Sequence, residues 1–237
     1  MEQKIILSVV MPVYNEGEVI EKIIREIFLE ILEKFENAEL ITIDDCSSDA
    51  TPLILKKLKL EYPSLKVLTN KKNLGHGPSL IRGYQEAKGE YVFCLDSDNQ
   101  IPIKNFWLLW DKMQKENLDI VTGVRKERKD PGYRLLISKI LRFFVKTVFK
   151  FNFKDINCPF KVFKKEALEK ILTVIPPETL IPSILMLIVG AKFKFKIGEV
   201  NVEHFPRKTG KSLIKSLKIL KICFLSLKEL IKFKMKL

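Results

Sequence analysis

The sequence predicts an α/β fold: a mostly parallel, doubly wound central sheet flanked by helices. Short apolar runs alternate strictly with segments of helical periodicity. The runs are nearly continuous rather than alternating, as in strands buried on both faces. Each of three polar clusters, Tyr14-Asn15-Glu16, Asp44-Asp45 and Asp96-Ser97-Asp98, directly follows such a run. In an open parallel sheet the carboxyl ends of the strands line the ligand crevice. Something anionic or metal-bound is therefore expected there.

The elements follow in order. Ile5–Val13 reads as a buried strand. Across Gly17–Phe35, Val19, Ile20, Ile23, Ile24, Ile27, Ile31 and Leu32 recur at helical spacing. Ala38–Ile43 predicts a second strand, ending in Asp44-Asp45, and a helix follows from about Ala50 to Leu60. A strand at Leu65–Leu68, a helix from about Pro78 to Ala87 and a strand at Tyr91–Leu95 continue the alternation. Beyond Gln100 the pattern loosens: Phe106–Lys115 is read as helix and Asp119–Gly123 as strand. A charged loop, Arg125–Asp130, then leads into a stretch rich in Phe and Lys.

The chain of 237 residues is long enough for a full core and carries no repeat or Gly/Ser linker. It is read as a domain over residues 1–210 with a basic helical extension over 211–237. With 46% apolar and 30% charged residues, intrinsic disorder is excluded for most of it. No stretch offers the roughly eighteen uninterrupted apolar residues of a spanning helix. Met1-Glu2-Gln3-Lys4 does not resemble a secretory signal, so a cytoplasmic-side protein is expected. Cys46, Cys94, Cys158 and Cys223 are scattered without a Cys-x-x-Cys pair and read as free thiols. His76 and His204 are the only histidines, which argues against a multi-histidine metal centre. A metal here would be held mainly by oxygen, pointing to Mg²⁺ or Mn²⁺.

The 42 basic and 29 acidic residues give a net charge of +13, and the excess is local. From Arg207 onward Glu229 is the sole acid. Lys211, Lys215, Lys218, Lys228 and Lys232 share a helical face beside Leu217, Leu220, Phe224 and Ile231. Lys139, Arg142, Lys146, Lys150 and Lys154 repeat the theme among Phe143, Phe144, Phe149, Phe151 and Phe153. Two basic, amphipathic stretches read as elements lying on an anionic membrane surface. Ordinary surface helices with solvated lysines are the bland alternative. Nucleic acid is disfavoured as a partner, because the cations are interleaved with aliphatics rather than with stacking aromatics and polar groups.

Asp96-x-Asp98-x-Gln100 is the strongest candidate site. Residues two apart can turn their oxygens to a common point once the chain leaves the ladder. A divalent ion held so keeps waters and reaches outward to phosphate. It would neutralise a diphosphate leaving group. In Asp44-Asp45-Cys46-Ser47-Ser48-Asp49-Ala50-Thr51, Ser48 or Asp49 is expected to cap the following helix. One of the adjacent aspartates is left to accept hydrogen bonds from a base or ribose.

These residues resemble the family 2 glycosyltransferases of GT-A (Rossmann-like) fold, and within them the dolichyl-phosphate mannosyltransferases and related polyprenyl-phosphate sugar transferases. The matching blocks run from Ser8-Val9-Val10-Met11-Pro12-Val13-Tyr14-Asn15-Glu16 through Asp44–Thr51, Asn73-Leu74-Gly75-His76-Gly77 and Asp96–Gln100. They continue with Gly123-Val124-Arg125, Asp155–Lys161, Gly198-Glu199-Val200 and Arg207-Lys208-Thr209-Gly210-Lys211-Ser212. The resemblance implies that Pro12, Tyr14, Glu16, Ile43, Asp45 and Ser97 hold a nucleotide. It implies Mg²⁺ or Mn²⁺ on Asp96, Asp98 and Gln100, and catalysis by Asp96, Asp98 and Arg125. Arg125, Arg134, Arg207 and Lys211 would bind phosphates; the planar guanidinium fork of arginine suits that task.

Two departures stand out. Leu213 follows Ser212 where the family often has lysine, so Lys211 is taken to supply that charge. The segment Leu180–Leu187, where many hydroxyl-directed relatives carry an acidic base, has none. A sugar hydroxyl needs proton removal. A phosphate monoester, with its second pKa near 6, is already largely dianionic at pH 7. The expectation is an inverting transferase that moves a sugar from GDP-mannose or a UDP-sugar to a polyprenyl phosphate at the cytoplasmic membrane face. A membrane-embedded partner protein is compatible with it. The rivals are a family 2 enzyme with a hydroxyl acceptor and a catalytically silent nucleotide-sugar binder.

Overall fold

The computed structural model describes residues 4–126, 132–206 and 216–236. Among the described residues seven strands form one sheet: β1 (Leu7–Val13), β2 (Ala38–Asp44), β3 (Leu65–Thr69), β4 (Tyr91–Cys94), β5 (Ile120–Arg125), β6 (Lys161–Lys164) and β7 (Ile197–Val202). Their order is β3-β2-β1-β4-β6-β5-β7. Only β6 runs against the others, antiparallel to both β4 and β5. The helices are α1 (Ile20–Glu30), α2 (Thr51–Glu61), α3 (His76–Glu86), α4 (Phe106–Glu116), α5 (Gly132–Phe144), α6 (Lys165–Leu172), α7 (Pro182–Lys192) and α8 (Ser216–Lys236).

Side chains alternate across the sheet and feed a core on each face. Val9 and Met11 of β1 join one, with Ile20, Ile23 and Ile27 of α1, Leu55 and Leu58 of α2, and Phe106 and Leu109 of α4. Val10 points the other way, to Leu80 and Tyr84 of α3, Ile171 of α6 and Ile184–Val189 of α7. Leu141 of α5 and Leu230 and Phe233 of α8 extend that second core. Helix α7 is buried almost all round, which explains why its sequence shows no polar face.

The expected alternation is observed, with local differences. Helix α1 is shorter than the apolar stripe, which continues into a 3₁₀ turn at Leu32–Lys34. Helix α2 begins after Ala50, so neither Ser48 nor Asp49 is its N-cap, although Asp49 Oδ1 still accepts the Thr51 N–H at 2.9 Å. The Phe/Lys stretch is not one helix. Helix α5 passes into a π turn at Val145–Phe149 and stops at Lys150, whose φ is +63°. Phe151 and Phe153 fold back onto the second core from beyond it. Helix α7 starts at Pro182, after Leu180 and Ile181, with the proline in its first turn where no N–H is needed. Strand β6 escapes sequence reading because its four residues, KVFK, show lysine at both ends.

The crevice opens where β1 loses a neighbour. Strand β1 pairs with β2 from Leu7 to Val13, but with β4 only from Leu7 to Val10. Pro12 sits in the part of β1 that β4 no longer flanks, so its missing N–H costs no bond on that side. This switch point is the position at which doubly wound sheets bind ligands.

Candidate active site

The loops after β1 and β2 brace each other at one end of the crevice. The Asn15 N–H donates to Ser47 Oγ at 2.9 Å, and Asn15 Oδ1 accepts from the Ser48 N–H at 2.8 Å. The Glu16 N–H donates to Thr51 Oγ1, and the Gly17 N–H to Asp49 Oδ2, each at 2.9 Å. Burial disfavours the charged Asp49 carboxylate, but the hydrogen bonds from Thr51 and Gly17 outweigh it, and the pKa falls below 3.8. Pro12 and Ile43 lie side by side in the β1–β2 register, both buried, with Tyr14 half-buried at the strand end and Glu16 buried two residues on.

Asp45 is more committed than its place after a strand suggests. It is buried and accepts from the Leu74 N–H through Oδ1 and the Gly75 N–H through Oδ2, each at 2.8 Å. Asn70 Nδ2 donates to it as well, at 2.7 Å. Asp45 thus fixes the turn that launches α3, where Gly75 adopts φ +92°, a conformation that suits glycine. Asp44 accepts the Ser47 N–H at 3.1 Å.

At the end of β4, Asp96, Asp98 and Gln100 line one small pocket with Arg125 and His204. Gln100 builds it in two ways. Its carbonyl accepts the Phe205 N–H at 2.8 Å, and its side-chain amide donates to the Phe205 carbonyl at 3.1 Å. The segment after β7 is thereby pinned over the pocket, carrying the buried His204. Ser97 is buried between the two aspartates. His76, the first residue of α3, approaches from the other side, its Nε2 2.8 Å from Asp96 Oδ1. The His76 side chain is 48% exposed; partial desolvation opposes its charge, but Asp96, Asp98 and Asp45 together raise its pKa above 6.5. Burial likewise opposes the Asp96 carboxylate, and His76, Arg125 and Lys161 reverse that, lowering its pKa below 3.8.

Arg125 closes the far side. The antiparallel β6 lays its lead-in segment along the end of β5, where the Gly123 N–H donates to the Phe160 carbonyl at 2.8 Å. That places Asp155 against Arg125, with Nε–Oδ2 at 2.7 Å and Nη2–Oδ1 at 3.0 Å. The side chains are 10% and 8% exposed. Beyond Arg125 opens a second cleft of about 260 Å³, lined also by Leu135, Ser138, Lys139, Arg142 and Lys154. Lys161 lies below, fully buried, its amine donating to the Cys158 carbonyl and its pKa lowered by burial.

Family comparison agrees with this geometry. The model of the family described as glycosyl transferase family 2 matches residues 8–172. The chain belongs to this family. Among curated relatives, it is 26% identical over 220 residues to an undecaprenyl-phosphate 4-deoxy-4-formamido-L-arabinose transferase of Pseudomonas fluorescens (strain Pf0-1), covering 92% of this chain and 63% of that one. A Salmonella choleraesuis (strain SC-B67) transferase of the same name is 27% identical, with 92% and 65% covered. The chain therefore spans just under two thirds of the length of these relatives. Among solved structures, glucosyl-3-phosphoglycerate synthase from Mycobacterium tuberculosis with Mn²⁺, UDP and glucosyl-3-phosphoglycerate superposes with a TM-score of 0.69 at 19% identity, over 96% of this chain and 79% of that one. A mannosyltransferase from Pyrobaculum calidifontis with GDP-Man and Mn²⁺ gives 0.64 at 18% identity, over 88% and 59%. These likenesses establish the α/β fold of the GT-A enzymes.

Of the site residues expected from sequence, Asp96, Asp98, Gln100 and Arg125 converge on one pocket. Arg207, Lys211, the side chain of Arg134 and the 210/211 domain boundary lie outside the described residues. Sequence alone assigns no role to Asp155, His76 and His204, although Asp155 and His76 lie inside the family-like blocks; the structure brings all three to the site. Both histidines, too few for a multi-histidine metal centre, flank the Asp96 carboxylate pocket. The signal for His204 was its place three residues before Arg207, in the segment that Gln100 holds.

Proposed function

We propose that this glycosyltransferase moves a sugar from a nucleoside diphosphate sugar to a polyprenyl phosphate, with inversion, at a membrane surface. One observation carries the reading: Arg125 lines both the Asp96–Asp98–Gln100 pocket and the cationic cleft of Lys139, Arg142 and Lys154. Two anionic groups can therefore be held on either side of one guanidinium, which Asp155 orients.

Two carboxylates and an amide oxygen are the donor set that a hard divalent cation takes, and Gln100 is oriented by its bond to Phe205. Asp96, Asp98 and Gln100 would hold Mg²⁺ or Mn²⁺, which supplies charge neutralisation to the leaving diphosphate. No three His, Cys, Asp or Glu side chains cluster at metal distance among the described residues, so substrate oxygens and water would complete the shell. Pro12, Tyr14, Glu16, Ile43 and Ser97 would line the nucleotide side, with Asp45 holding the loop behind it.

In the transfer, an acceptor phosphate oxygen attacks the anomeric carbon from the face opposite the diphosphate. The new C–O bond forms as the bond to the diphosphate breaks, and the electron pair leaves with the nucleotide. Arg125 and the lysines of the second cleft align the acceptor. Helix α7 presents no carboxylate, and a phosphate nucleophile needs no proton removed. Glu229 of α8 does reach the segment before α7, where it accepts from the Thr179 hydroxyl and the Leu180 N–H, a bracing role.

The acceptor lipid accounts for the exposed face. Leu136, Ile140 and Phe143 of α5, and Phe224, Ile231 and Met235 of α8, are exposed among lysines. Among the described residues no helix is long and apolar enough to cross a membrane. An amphipathic face of this kind docks on anionic lipid. The deciding experiment incubates purified protein with polyprenyl-phosphate liposomes, Mg²⁺ or Mn²⁺, and a panel of labelled UDP- and GDP-sugars. A lipid one sugar heavier confirms the reaction class and names the donor. Nucleotide binding without any lipid product across the panel refutes it.

A further inference from the structure

We infer that His76 is a positioning residue that holds the Asp96 carboxylate in the orientation needed by the divalent cation, an inference that rests on the proposed metal-assisted transfer. Three separate features place this imidazole. Asp45 fixes the Leu74 and Gly75 N–H groups, each at 2.8 Å. Gly75 turns the chain with φ +92° into α3. Gly77 then lets α3 dock directly on the Thr179 backbone: a Cβ there would lie 1.8 Å from the Thr179 carbonyl oxygen. A side chain at Gly77 would push α3, and His76 with it, away from the Thr179 backbone.

The result is Nε2 of His76 at 2.8 Å from Asp96 Oδ1. A carboxylate only accepts, so the imidazole donates. Oδ1 is thereby tethered on the α3 side, which leaves the other oxygen for the pocket that Asp98 and Gln100 also line. Carboxylates that bind metals are held in this way by outer hydrogen bonds, whose loss costs about 10- to 100-fold in metal affinity. The opposite arrangement, in which His76 merely competes with the cation for Asp96, makes the reverse forecast and is separated by the same measurement.

The test is Mn²⁺ binding by electron paramagnetic resonance, with Mn²⁺ alone and with UDP or GDP added, on wild type, His76→Ala, His76→Gln and Asp98→Ala. The expected result is measurable Mn²⁺ binding by wild type, loss in Asp98→Ala, and about 10- to 100-fold weaker binding in His76→Ala. His76→Gln keeps an N–H donor and should recover most of the affinity. If the alanine variant distorts the turn, the glutamine variant against wild type carries the comparison. Unchanged or tighter Mn²⁺ binding in His76→Ala, alongside loss in Asp98→Ala, overturns the inference and leaves the transferase reading standing. Equal weakening by alanine and glutamine also overturns it. Absence of Mn²⁺ binding by wild type under all three conditions overturns both.

Discussion

Removing the Asp155 carboxylate should damage both stability and turnover. In Asp155→Ala the Arg125 guanidinium, 10% exposed, loses the acceptor that holds its Nε and Nη2 at 2.7 and 3.0 Å. Truncating one member of a buried ion pair costs about 3–5 kcal/mol. For a chain of this size each kcal/mol moves the melting temperature by roughly 2–4 °C, so a fall of about 6–20 °C is expected. The double variant Arg125→Met with Asp155→Leu removes both charges and should recover much of that loss, since a well-packed apolar pair replaces a buried ion pair at little cost. Turnover should stay abolished in both, because the guanidinium that joins the two anion sites is displaced or missing. Thermal unfolding followed by circular dichroism, paired with the liposome assay, reads the two effects apart. A melting temperature within about 2 °C of wild type for Asp155→Ala would show that the pair is not desolvated. Undiminished transfer would show that Asp155 does not set Arg125.

Other substitutions probe the remaining contacts. Asp98→Ala should abolish transfer while leaving the unfolding midpoint nearly unchanged, and near-normal turnover would sink the metal assignment. Glu229→Ala deprives the Thr179 hydroxyl and the Leu180 N–H of their acceptor, at a cost of about 1–3 kcal/mol. Faster hydrogen exchange confined to α8 and the segment before α7 is the expected signature, and unchanged protection there would contradict it. Asp49 has a pKa lowered in the fold, so its stabilisation is present above 3.8 and fades as pH falls through its folded value. The stability gap between wild type and Asp49→Ala should therefore be widest near neutrality and shrink in acid below pH 3.8, as urea titrations at several pH values would reveal. A gap independent of pH would mean that the Gly17 and Thr51 bonds do not depend on the charge.

The fold was legible because the central parallel strands β1, β2 and β4 are buried on both faces along nearly all their length and announce themselves as apolar runs. Where that physics lapses, so does the reading. Strand β6 is antiparallel, four residues long and flanked by lysines, one of which is fully buried with its amine satisfied by a carbonyl. A buried lysine looks like a surface residue in sequence. The Asp96–Gln100 site was legible because its residues are local, two apart on one loop. Arg125 and Asp155 are 30 residues apart and meet only because β6 runs back beside β5. Asp45 stands out in sequence by its place after a strand, but its bonds to backbone N–H groups about 30 residues on are encoded by no side-chain pattern.

The choice of nucleophile is the centre of the proposed chemistry, and one comparison reaches it directly. Identical liposome reactions would contain either a polyprenyl phosphate or the corresponding polyprenol, with the same donor and cation. With no carboxylate on α7 and lysines and arginine around the second cleft, glycosylated product is expected from the phosphate alone, as an acid-labile phosphodiester. Comparable product from the alcohol would mean that a base operates where none has been placed, and would contradict the phosphate-acceptor reading.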